Sequence, residues 1–120
     1  MAQYNFDNIQ TTACQQGATF FRPFTWTEKN GDLILLDNYT AKMQVRKNYG
    51  GKLLIELSTE NGRIYYDSNN QIVLYISAEE TQLLDAGKYV YDLELTDIVG
   101  TEGVIRLLEG EFFVSPEVTL

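Results

Sequence analysis

The chain has 120 residues, enough for one domain with a single core. Nine basic residues against 17 acidic ones give a net charge of -8, so we expect neither nucleic acid nor an anionic membrane as a partner. With no histidine and a single cysteine, Cys14, the chain lacks the commonest general base and cannot form an intrachain disulfide, and we expect no catalytic residue, no metal and no cofactor.

The first 17 residues do not alternate, and we interpret residues 1–17 as an N-terminal arm or edge strand. This segment has neither the basic residues nor the apolar run of a signal peptide. No stretch of the chain approaches the roughly 18 apolar residues of a membrane span. We therefore expect synthesis in the cytosol, with export only as part of a larger assembly.

Between residues 18 and 114, apolar side chains recur with a period of two, which predicts an all-β domain. Pro23 cannot donate a ladder hydrogen bond, so the first of these strands should lie at a sheet edge or contain a bulge. A second bulge is expected near Gly110, where the alternation breaks. The predicted strands span 18–26, 39–48, 52–57, 63–66, 71–76, 88–97 and 104–114.

Turns and one short helix separate these strands. Asn-Gly and Gly-Gly pairs after residues 29 and 49 favour hairpins, and Asn61-Gly62 favours another turn. The segment 77–84 is the only helical one, since Ser77 and Glu80 have the spacing of a capping box. We expect one short helical turn near residues 78–84, crossing between two sheets.

The segment after this helix has the signature of an immunoglobulin-like corner: Asp85, Gly87 and Tyr89 at intervals of two, opening an alternating strand. In such a corner the tyrosine hydroxyl bonds back to the upstream backbone. An ordinary turn before a strand is the simpler alternative. Tyr91 stands where antibody-type domains have their second disulfide cysteine, so the sandwich must hold without that bond. We predict an immunoglobulin-like antiparallel β-sandwich of about seven to eight strands over residues 18–114.

Two groups of residues with oxygen-bearing side chains could suggest chemistry, but each has a simpler explanation. Asp92 and Glu94 have the spacing of paired carboxylates, which alternation on a solvated strand also produces. A second group of oxygen-bearing side chains could bind Ca²⁺, yet it lacks an EF-hand spacing, and such residues are also preferred in turns. Its members are Asp37, Asp67, Asn69 and Asn70. We interpret both groups as structural.

The chain has more aromatic residues than one small core needs, which favours contacts with partner proteins over a merely well-packed sheet. We also assign a C-terminal tail, residues 115–120, which runs extended and, like the N-terminal arm, could dock on a neighbour. The candidate interface residues are Tyr4, Phe6, Tyr65, Tyr66, Tyr75, Pro116 and Val118.

Several segments together resemble small virion proteins of tailed bacteriophages, in particular the N-terminal immunoglobulin-like domain of phage baseplate upper proteins. The resemblance rests on residues 16–20, 36–46, 57–64, 76–81, 86–97 and 108–119. It implies a noncatalytic structural adaptor in the tail, baseplate or fibre-attachment region, made in the bacterial host cytoplasm and located in the virion. The implied partners are other virion proteins, in a homo- or hetero-oligomeric assembly. Alternatives are a capsid decoration protein, which uses the same sandwich on the head, and a carbohydrate-binding module.

Overall fold

The computed structural model describes residues 2–9, 11–27, 30–100 and 103–118. These residues form nine β-strands, one α-helix and one 3-10 turn at Leu36–Asn38. The strands are β1 (Ala2–Gln3), β2 (Cys14–Gln15), β3 (Phe20–Phe24), β4 (Tyr39–Arg46), β5 (Leu53–Ser58), β6 (Ile64–Tyr66), β7 (Ile72–Ile76), β8 (Gly87–Asp97) and β9 (Val104–Ser115), and the helix is α1 (Ala78–Gln82).

The strands form two sheets that pack as a sandwich. The larger sheet has the order β1-β9-β8-β4-β5, with β2 also pairing with β9, and the smaller sheet has the order β3-β7-β6. The predicted all-β sandwich is thus confirmed. The finer prediction, an immunoglobulin-like topology, stays a prediction.

The core lies between the sheets and follows the alternation seen in the sequence. On β4 the side chains of Ala41, Met43 and Val45 are buried, whereas Lys42 is exposed. The inward positions of β7 and β8 are also buried, as predicted: Ile72, Leu74, Ile76, Tyr89, Tyr91, Leu93 and Leu95. Burial of one apolar face per sheet supplies the main driving force for this arrangement.

The segment between β7 and β8 contains the predicted helix. The Ser77 hydroxyl accepts a hydrogen bond from the Glu80 amide, and the Glu80 carboxylate accepts one from the Ser77 amide. This capping box satisfies amide donors that a short helix otherwise leaves exposed. An ion pair between Arg63 and Glu80 ties the helix to the residue before β6.

Two predicted irregularities are found close to where the sequence put them. β3 is an edge strand of the smaller sheet, one of the two arrangements that Pro23 led us to expect. The register of β8 on β9 shifts so that Leu107 is left over between the pairs Leu93–Leu108 and Glu94–Arg106. The bulge therefore lies at Leu107, and Gly110 stays in the ladder opposite Tyr91.

The N-terminal segment is part of the sandwich, so of its two interpretations, an arm or an edge strand, the pairing agrees with the edge strand. β1 and β2 both pair in parallel with β9, and an isolated bridge joins Phe6 to Phe112 between them. An ideal Cβ at Gly110 would lie 2.2 Å from the carbonyl oxygen of Tyr4. Glycine at this position lets the N-terminal backbone approach β9 closely.

Candidate interaction surfaces

Asp85, Gly87 and Tyr89, the residues of the corner, have a structural role at the start of β8. The Tyr89 hydroxyl donates a 2.8 Å hydrogen bond to the carbonyl oxygen of Asp85, the upstream bond that the sequence led us to expect. Gly87 adopts φ of +153° between them. Burial, with the nearby Asp85 carboxylate, raises the pKa of the Tyr89 hydroxyl, so it stays protonated and able to donate. This arrangement fixes the entry into β8 and offers no reactive group.

The two candidate interface residues of the N-terminal segment have different environments. Phe6 is 3% exposed and its ring contacts those of Phe20, Tyr91 and Phe112, so it is a core residue and the prediction that it forms an interface is wrong. Tyr4 is 37% exposed. Its carbonyl oxygen accepts a 2.6 Å hydrogen bond from the Tyr91 hydroxyl. The parallel pairing with β9 turns the Phe6 side chain inward. The sequence did not predict this burial, because apolar residues do not alternate in the N-terminal segment.

Tyr66 also differs from its prediction as a surface residue. Its ring packs against the core, and its hydroxyl donates a 2.8 Å hydrogen bond to the carbonyl oxygen of Tyr39. Burial and the Asp37 carboxylate together raise its pKa to about 12. Because neighbouring residues on a strand face opposite ways, Tyr66 turns inward when Tyr65 turns outward. A strand of three residues was too short for the sequence to fix this phase.

Tyr65 and Tyr75 lie on the outer face of the smaller sheet, where the register adds further apolar neighbours. Phe21 pairs with Tyr75, and Val73 lies between Pro23 and Tyr65. Val73 is fully buried yet does not belong to the core cluster, because the residues on its own face cover it. Phe21 and Tyr65 are 47% and 41% exposed. We call this surface the aromatic face; its members are Phe21, Pro23, Tyr65, Val73 and Tyr75.

The outer face of the larger sheet has the opposite character. There Lys42 pairs with Glu94, Gln44 with Asp92, and Asp92 with Glu109. Arg106 lies 3.7 Å from the carboxylate of Asp92, between the guanidinium Nε and Oδ2. The Asp92 and Glu94 carboxylates therefore belong to a charged, solvated surface, as their alternation indicated. The five members of the aromatic face carry no charge, and Arg63, which borders them opposite Tyr75, is paired with Glu80. This face can therefore be dehydrated at lower cost than the charged one.

The C-terminal residues run from β9 along the N-terminal segment. The Glu117 amide donates a 3.0 Å hydrogen bond to the Gln16 side-chain oxygen, and the Glu117 carboxylate lies against Gly17. Pro116 and Val118 on either side are exposed, Val118 almost completely. Both candidates are therefore accessible, but the backbone that carries them is anchored to residues 15–17 rather than running off the domain.

The oxygen-bearing side chains considered for Ca²⁺ act in turns. The Asp67 carboxylate accepts 2.9 Å hydrogen bonds from the amides of Asn69 and Gln71. Asn70 donates through its side chain to the carbonyl oxygen of Ile34. Within the ranges that the structure describes, no three acidic, cysteine or histidine side chains group closely enough to hold a metal ion.

Cys14 is fully buried, and this burial raises its pKa to about 12 in spite of the nearby Arg22 guanidinium. The thiol is therefore neutral and shielded at physiological pH, without the thiolate character of a nucleophile. Arg22 in turn donates to the carbonyl oxygens of Thr12 and Ala13, which lie between β1 and β2.

The chain matches no protein-family model and no curated protein. Among the residues that the structure describes, no helix has the length and apolar character needed to cross a bilayer. The functional interpretation therefore depends on the residues and surfaces of the chain itself.

Proposed function

We propose that the chain is a noncatalytic structural protein of a tailed-phage virion, an adaptor in the tail, baseplate or fibre-attachment region. The aromatic face is the observation that carries the proposal. On a chain with a net charge of -8, it offers apolar and aromatic side chains without a charge among them. Aromatic residues are enriched and charged residues depleted at the centres of protein interfaces.

Two further features support the proposal. The resemblance to phage baseplate proteins extends over segments from residue 16 to residue 119. The sandwich also places this uncharged face on one side and a charged face on the other. Such a domain can dock by one surface while the other stays hydrated within a crowded assembly. In this proposal the partner is another virion protein, and the chain is located in the particle.

Incorporation into particles tests the proposal. In a phage that encodes the chain, the double variant Phe21→Ser/Tyr65→Ser removes the two most exposed rings of the aromatic face. A matched control, Lys42→Ser/Glu111→Ser, changes two exposed residues on the opposite sheet without altering the net charge. Copies per purified particle are counted by quantitative mass spectrometry, and immunogold labelling distinguishes tail from head. Thermal melting of each purified variant shows that it folds.

We expect the control variant to be incorporated like the wild type and the aromatic-face variant to be depleted while its melting is unchanged. A chain absent from purified particles would contradict the virion role altogether. A labelled head would favour the decoration-protein alternative. Normal incorporation of the Phe21→Ser/Tyr65→Ser variant would leave the virion role intact but exclude the aromatic face as its docking surface.

A carbohydrate-binding module is the second candidate, and the aromatic face also favours it. Exposed rings on one sheet face can stack on sugar rings, and Phe21, Tyr65 and Tyr75 lie on such a face. A glycan array probed with the purified chain separates the two functions. Binding to a defined glycan that the Phe21→Ser/Tyr65→Ser variant loses would favour the module over the adaptor.

A further inference from the structure

A second accessible surface lies at one end of the sandwich, where three connections meet. The segment 25–38 joins β3 to β4, residues 67–71 join β6 to β7, and residues 98–103 join β8 to β9. The Ile98 amide donates a 3.0 Å hydrogen bond to the carbonyl oxygen of Asn38. The Asn70 side chain donates to the carbonyl oxygen of Ile34. These contacts hold the three connections together at this end.

Aliphatic side chains at this end are strongly exposed. Leu33 and Leu35 in the first connection are 61% and 64% exposed, and Val99 in the third is 68% exposed. Ile98 and Val104 are also more than half exposed. We call this surface the loop tip; its members are Leu33, Leu35, Ile98, Val99 and Val104. Exposed aliphatic residues gathered at one end of a domain are typical of an interaction site.

The core does not account for these residues. Within the segment 33–36 the side chains alternate: Leu36 is fully buried and Ile34 packs against the core, whereas Leu33 and Leu35 face outward. Within residues 33–36, Ile34 and Leu36 therefore supply the packing against the core. The two outward leucines add apolar surface in a connection where polar residues would be compatible with the fold.

The same connections are acidic. In the described parts of the first and third connections and at the end of β8, the charged residues are Asp32, Asp37 and Asp97, all acidic. Two copies meeting tip to tip would bring like charges together, which disfavours self-association through this surface. A complementary partner needs apolar side chains for the aliphatic residues and basic groups for the surrounding carboxylates.

We propose that the loop tip is a docking surface for a protein segment that combines apolar side chains with lysine or arginine. This inference deepens the proposed function and rests on it, because it names the chemistry of one partner of the adaptor. The aromatic face on the smaller sheet then serves a different contact, so the chain connects two neighbours. Basic groups on the partner speed the encounter, and burial of the aliphatic residues supplies most of the affinity.

The experiment uses synthetic peptides as partners of defined chemistry. The probe is an amphipathic peptide of leucine and lysine, and the comparison peptides, of equal length, contain leucine and glutamate or serine and lysine. Binding to the whole chain is located from shifts of backbone amide resonances on titration. A tip variant, Leu35→Ser/Val99→Ser, is compared with Ile9→Ser/Leu83→Ser, in which two still more exposed aliphatic residues outside the loop tip are changed.

We expect the leucine-lysine peptide to shift the amides of residues 33–38 and 97–104, and the comparison peptides to have little effect. The tip variant should weaken binding about tenfold, and the control variant should not. Equal binding of the serine-lysine peptide, shifts spread over the whole acidic surface, or no binding of the leucine-lysine peptide would each overturn the proposal. Because this assay needs no particle, its failure is distinguishable from a failure of the virion role.

Discussion

Two tyrosines on the same face of β8 show how single hydroxyls connect the fold. The Tyr89 hydroxyl donates to Asp85, four residues upstream, whereas the Tyr91 hydroxyl donates to Tyr4 in the N-terminal segment. The first bond is local and closes the corner. The second is long-range and holds the N-terminal segment against β8.

The corner bond gives a prediction at the scale of one residue. Tyr89→Phe removes a hydroxyl from a side chain that is only 6% exposed, and should lower the free energy of unfolding by about 1 kcal/mol with the fold intact. The loss stays near this value because Asp85 is exposed and water can bind its freed carbonyl oxygen. Chemical denaturation measures the difference. Tyr65→Phe, on an exposed ring, is the control, and equal midpoints for both variants would contradict a stabilising corner bond.

At the scale of an element, the N-terminal segment has a structural role larger than its two short strands suggest. Phe6 lies between β1 and β2, and its ring contacts the neighbouring Tyr4 ring and three aromatic rings from other parts of the chain. The amides of Tyr4 and Phe6 donate to the carbonyl oxygens of Glu109 and Glu111 on β9. The segment thus covers much of the outer edge of β9 and fills one side of the core.

This role predicts that the N-terminal segment cannot be removed without loss of stability. Phe6→Ala should cost about 3 to 5 kcal/mol, the usual range for a buried phenylalanine, because it leaves a cavity among aromatic rings. Deletion of residues 1–12 should cost at least as much. Ile9→Ala, at a residue 92% exposed, should change little. Thermal or urea unfolding compares the three, and a deletion that melts like the wild type would show that the segment is not part of the core.

The sequence predicts elements where side chains alternate over a long segment and fails where a segment is short. The alternation at Ala41, Met43 and Val45 placed β4 and its buried face correctly. β1 and β2 have two residues each, so neither has a period, and their location depends on the distant β9. For the same reason, the aromatic face was only partly predicted: Val73 joins it through cross-strand register, which the sequence does not specify locally.

On the scale of the whole molecule, the core contains several groups that ionise only at alkaline pH. Burial raises the pKa of Cys14 and of Tyr66 to about 12 each, and burial, with Tyr4 and Glu109 nearby, raises the pKa of Tyr91. The pKa of Tyr89 is raised as well. The sandwich thus depends on protonated thiol and hydroxyl groups in its interior, because each of these groups would have to carry a negative charge in the core above its pKa.

These raised pKa values predict that stability falls at alkaline pH. Below about pH 8 these groups are protonated in both the folded and the unfolded chain, so the stability they contribute is fully present. As the pH rises past the ordinary values of 9.0 for cysteine and 10.0 for tyrosine, the unfolded chain ionises first, and stability is lost until the pH passes the folded pKa values. Each group contributes a slope of up to about 1.4 kcal/mol per pH unit. Urea unfolding at intervals between about pH 8 and pH 11 measures this decline.

The variant Tyr91→Phe removes one of these groups. It should be less stable than the wild type at pH 8, but its stability should decline less steeply as the pH rises. An equal slope in the variant and the wild type would exclude Tyr91 as a source of the pH dependence.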